Sequence, residues 1–79
     1  MTEGAKYVKL VEWSEEDGCF IGNCPELFYG GCHGGDPRVV FNQLCQVVEE
    51  TVVLYRQDGK TLPHPLSGKE FVNVMQKIV

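Results

Sequence analysis

Residues 37–57 constrain this chain more than any other stretch. Asp36 is well suited to cap a helix N-terminus, and Pro37 suits the first helical position, where the missing N–H is not needed. Val40, Leu44, Val47, Val48, Thr51, Leu54 and Tyr55 then recur at i, i+3, i+4 and i+7 spacing, which predicts a helix with one apolar face. Asn42, Gln43, Gln46, Glu49, Glu50 and Arg56 fill its wet side, and Asp58-Gly59 supplies a stop in which glycine can take the left-handed conformation. Such a helix is about 30 Å long. In a chain of 79 residues it is expected to provide most of the cover for a sheet.

The sheet is predicted from the residues before the helix. Tyr7 to Trp13 is rich in β-branched and aromatic residues and reads as a strand, with Val8 and Leu10 on one face and Tyr7, Val11 and Trp13 on the other. Ser14 to Gly18 is a polar turn, and Cys19 to Cys24 follows as the second arm of an antiparallel hairpin. Pro25 ends that arm because it has no N–H for the ladder. Four glycines between Gly30 and Gly35 weaken a regular strand, so the third is expected to be short, around Tyr29 to His33, with a bulge or kink. The glycine run lacks the lysine and hydroxyl of a phosphate-binding loop, and Asp36 stands where a phosphate would dock. Beyond the proline-punctuated segment 60–68, residues 69–79 fit either a helical face or a strand. Their β-branched content favours a fourth strand. The expected order is ββ-β-α-β, an α+β fold of three antiparallel strands, one long helix and a fourth strand, in a single domain over residues 1–79.

Composition narrows the function. Seven basic residues against eleven acidic ones give a net charge of −4, which argues against nucleic acid as a direct partner and suits a basic protein. No apolar run is long enough to cross a membrane, and Met1 to Lys6 does not read as a signal peptide, so a cytoplasmic protein with reduced thiols is expected. Cys19, Cys24, Cys32 and His33 are nominal metal ligands, but no two cysteines form a Cys-x-x-Cys knuckle, and Cys19 and Cys24 fall on opposite faces of a strand. Cys19, Cys24, Cys32 and Cys45 are therefore read as small buried hydrophobes, with no metal or cofactor. No catalytic residue is expected either. Cys32 and His33 are adjacent in a strand and point apart, and His64 sits between two prolines facing solvent. Glu49-Glu50 reads as solvated helix surface.

The chain also carries a resemblance. Asp17-Gly18-Cys19-Phe20-Ile21-Gly22-Asn23-Cys24-Pro25-Glu26-Leu27 resembles the DGxYxVxxPDL run of the HicB-like antitoxin family, and Gly31-Cys32-His33-Gly34-Gly35-Asp36 resembles the PGCxxxGDT segment before that family's helix. Asp58-Gly59-Lys60-Thr61-Leu62-Pro63-His64-Pro65 is similar to its GxxIPxP segment, and Ser67 to Val72 to the start of its last strand. The sequence departs from the pattern at Phe28-Tyr29 and at Pro37-Arg38-Val39. The resemblance implies a partial ribonuclease-H-like fold and an antitoxin role, the blocking of a small basic HicA-type messenger-RNA endonuclease. It implies no nuclease activity of the chain's own, since Glu12 with Glu49 or Glu50 does not make a two-metal carboxylate set. Many family members carry an additional C-terminal DNA-binding domain, and none is expected within these residues. On this reading Glu15, Glu16 and Asp17 in the hairpin turn are the expected partner contacts. Tyr7 and Trp13 are the expected contacts of a homodimer, because they offer apolar area near an open sheet edge. The alternative is a stand-alone homo-oligomeric domain of the same fold with an unknown ligand and no toxin.

Overall fold

The computed structural model describes residues 2–66. A 3-10 turn at Glu3–Lys6 leads into strands β1 (Leu10–Ser14), β2 (Cys19–Cys24) and β3 (Phe28–Gly34), followed by helix α1 (Pro37–Gln57). The strands form one antiparallel meander in the order β1-β2-β3, with α1 packed across it. The α+β arrangement of a three-stranded antiparallel sheet and one helix is thus as expected, and the expected fourth strand at 69–79 lies outside the described residues.

Helix α1 begins as its sequence predicts: the Asp36 carboxylate accepts a hydrogen bond from the Arg38 amide at 2.9 Å, with Pro37 in the first turn. Its buried row is Val40, Leu44, Val48 and Val52, one residue every four. That row is rotated from the predicted one. Val52 joins the core, Val47, Thr51 and Tyr55 are half-buried, and Leu54 is 56% exposed. The rows share Val40 and Leu44, which sit over the sheet. Gly22, paired with Val11 on one side and Cys32 on the other, faces the helix, and a Cβ built on it would meet Val40 Cγ1 at 3.1 Å and Leu44 Cδ2 at 3.4 Å. Absence of a side chain at Gly22 lets the sheet and helix approach closely beneath Val40 and Leu44.

Tyr7 lies before β1 rather than within it. It is 4% exposed, belongs to the core cluster with Cys24, Cys32 and the helix row, and donates its hydroxyl hydrogen to the Pro63 carbonyl at 2.7 Å. Buried apolar bulk with a satisfied hydroxyl is the stable arrangement for tyrosine. The expected edge contact through Tyr7 is therefore corrected: that side chain anchors the segment after α1 and presents no surface.

The irregularity predicted in the third strand is a bulge. Gly22 pairs with Cys32 and Cys24 with Phe28, so Asn23 alone faces Tyr29, Gly30 and Gly31. Gly30 takes φ +68°, which a side chain would disfavour. Asn23 is buried and repairs the break. Its Oδ1 accepts from the Gly30 amide, and its Nδ2 reaches Glu12 Oε1 at 3.4 Å.

Candidate functional site

The β1–β2 turn displays the most chemically distinctive surface of the described residues. Gly18 N donates to the Ser14 carbonyl at 2.8 Å, Ser14 Oγ donates to Asp17 Oδ2 at 3.0 Å, and Asp17 N donates back to Ser14 Oγ at 3.2 Å. These bonds fix a turn in which Glu15, Glu16 and Asp17 are all exposed. Trp13, the last residue but one of β1, is 49% exposed. Its indole is held on two sides: Nε1 donates to Glu15 Oε1 at 2.9 Å, and the ring meets its cross-strand partner Phe20 edge-on at 5.1 Å between centroids and 69° between planes. The result is a fixed aromatic surface beside three carboxylates. Such a surface suits lysine or arginine side chains, which gain from both the ring quadrupole and the negative charge.

Of the turn carboxylates Glu15 contacts Trp13, with Glu16 and Asp17 exposed further along the same turn, whereas Tyr7 is not part of that surface. The Cys32–His33 pair separates as the strand alternation requires, with Cys32 buried and His33 exposed. Among the described residues no three His, Cys, Asp or Glu side chains converge as metal ligands, and no described helix is long and apolar enough to cross a membrane. The surface ion pair between Arg56 and Glu3 joins α1 to the 3-10 turn, and both partners are well exposed, so it adds little stability.

Burial decides the chemistry of the cysteines. It pushes the Cys24 thiol up to about 11, reinforced by the negative charge of Glu26, and burial alone raises Cys32. Thiolate is the reactive form, so Cys24 and Cys32 are poor nucleophiles, while Cys19 and Cys45 are partly accessible. With a chromogenic thiol reagent near neutral pH, two cysteines are expected to react quickly and two only at the rate of unfolding. Four equally fast thiols would contradict the buried positions.

One residue with structural consequence was not singled out by sequence reasoning. Glu26, in the β2–β3 turn, accepts from the Val8 amide at 3.2 Å and from the Leu66 amide at 3.1 Å, both on Oε2. Its Oε1 is buried without a partner among the described residues. A lone glutamate after a proline reads as turn surface, and only the fold brings it two distant donors, Val8 from before β1 and Leu66 from after α1.

Compared with known proteins, the chain matches no family model, no curated protein and no solved structure.

Proposed function

We propose that this chain is a protein-binding module of the antitoxin type, which holds a small basic partner, a HicA-type messenger-RNA endonuclease, against its acidic hairpin turn. The observation that carries this reading is Trp13, half-exposed and held by Glu15 and Phe20 next to Glu16 and Asp17. Immobilised aromatic residues are favoured anchors at protein interfaces because little side-chain freedom remains to be lost on binding. The net charge of −4 favours encounter with a basic surface, and the resemblance to HicB-like antitoxins runs through this same turn, from Asp17 to Leu27. A partial ribonuclease-H-like fold, with residues 69–79 as the fourth strand, is part of the same proposal.

The test is affinity capture of the chain from extract of its native cells, followed by mass spectrometry and binding kinetics with the recovered partner. A stoichiometric small basic protein is the expected product. Glu15→Lys, Glu16→Lys and Asp17→Lys together are then expected to slow association about tenfold or more and to flatten its dependence on salt. An unchanged rate and salt slope would show that the turn is only solvated surface. Recovery of the bait alone would favour a stand-alone homo-oligomeric domain of this fold.

A further inference from the structure

Tryptophan is highly buried in most folds, yet Trp13, the single tryptophan of the chain, is 49% exposed. It shares a sheet face with Val11 and, across the ladder, with Phe20. Val11 and Phe20 pack against the core, whereas Trp13 is not among the described hydrophobics that do. It lies two residues nearer the turn than the Val11–Gly22 pair beneath α1. Core packing therefore does not account for this side chain. It is nonetheless held in place, by the hydrogen bond to Glu15 and by the edge-on contact with Phe20.

The way the ring is held decides what it can take. An edge-on contact with Phe20 covers at most one face of the indole, so with half of the residue exposed the other face is open. Glu15 Oε1 accepts from Nε1, while Oε2 of the same carboxylate has no partner among the described residues and stands at the rim of the ring. A matching occupant is cationic, has a flat surface to stack on the indole, and donates N–H groups at its own rim to the carboxylate. Lysine meets only the first requirement in full: its ammonium is a compact, strongly hydrated point charge that loses water over a ring. Arginine meets all three, because guanidinium is planar, weakly hydrated and carries its donors in its plane. Glu16 and Asp17, exposed along the same turn, attract either cation without distinguishing them. Charge thus sets the sign of the partner, and the indole sets its chemistry.

We propose that Trp13 determines the specificity of this surface and takes an arginine side chain of the basic partner, with its guanidinium stacked on the open indole face and hydrogen-bonded to Glu15. The inference rests on the reading of the hairpin turn as the partner's site, and adds which basic residue that site selects.

Titration of the purified chain with two capped peptides of equal length and charge, one all arginine and one all lysine, tests it. Binding is followed at fixed ionic strength through the NMR shifts of the Glu16 and Gly18 amides and of the Trp13 indole N–H. The arginine peptide is expected to bind about fivefold more tightly than the lysine peptide. Trp13→Leu should abolish that preference while leaving the weaker binding that charge alone provides, and circular dichroism checks that the variant is folded. Glu15→Gln, which keeps an acceptor for Nε1, should weaken the arginine peptide more than the lysine peptide. Equal binding of the two peptides at the hairpin overturns the arginine assignment and leaves the turn as a site for basic proteins. A preference that survives Trp13→Leu also overturns it, since the selecting contact would then lie elsewhere. Binding of neither peptide, or shifts confined to other parts of the chain, overturns both the assignment and the reading of the hairpin on which it rests.

Discussion

Leu44→Ala is expected to remove about 3 kcal/mol of stability, a large share of what so small a domain holds. Leu44 is fully buried, one of the largest side chains in that state, and it packs over Gly22 in the middle of the sheet. Truncation leaves a cavity that glycine on the sheet side cannot fill by a rotamer change, so relaxation is limited. In thermal unfolding followed by circular dichroism, the midpoint should fall by about 15 °C. Leu54→Ala on the same helix is the matched control. Leu54 is mostly exposed, and its loss should amount to about 0.5 kcal/mol or less. Equal losses at the two positions would mean that α1 presents the row predicted by periodicity alone and not the row found in the fold.

Glu26→Ala is expected to lose about 2–3 kcal/mol, because one carboxylate oxygen serves two backbone amides distant in sequence. Val8 precedes β1 and Leu66 follows α1, so removal of that oxygen releases both segments from the β2–β3 turn. Hydrogen exchange at the Val8 and Leu66 amides should accelerate before that of α1. Glu26→Gln keeps an acceptor and should lose less. It also removes the negative charge that helps raise Cys24, so any residual reactivity of that thiol should increase. Unaltered exchange at both amides in the alanine variant would show that the clasp holds nothing.

The legibility of this chain varied with the distance over which each feature is decided. Helix α1 was readable from Asp36, Pro37 and the stop at Asp58-Gly59, because capping is settled within one turn of the residues concerned. The β1–β2 hairpin was equally readable, since Gly18 and its polar neighbours close the turn locally. The bulge followed from the glycines of the third strand. The role of Asn23 in repairing it did not, because the Gly30 amide that it binds lies seven residues away across a turn. For the candidate surface, the cluster of Glu15, Glu16 and Asp17 was visible as sequence, while the restraint of Trp13 by Phe20 and Glu15 depended on cross-strand register.

Tyr7 shows the same limit from the other side. Its apolar bulk suited either an edge or a core, and the choice was made by Pro63, which reaches it only after the chain has passed through the sheet and the helix. The helix row was likewise open in the sequence, because Val39, Phe41, Val53 and Leu54 add apolar residues around the rest of α1. Among the described residues, the sequence by itself determined that three antiparallel strands and one long helix form, through caps, turns and propensities that act over a few residues. The tertiary structure decided which side of each element is buried, because that choice depends on complementary shape between segments far apart in the chain, here the bare backbone of Gly22 under Val40 and Leu44.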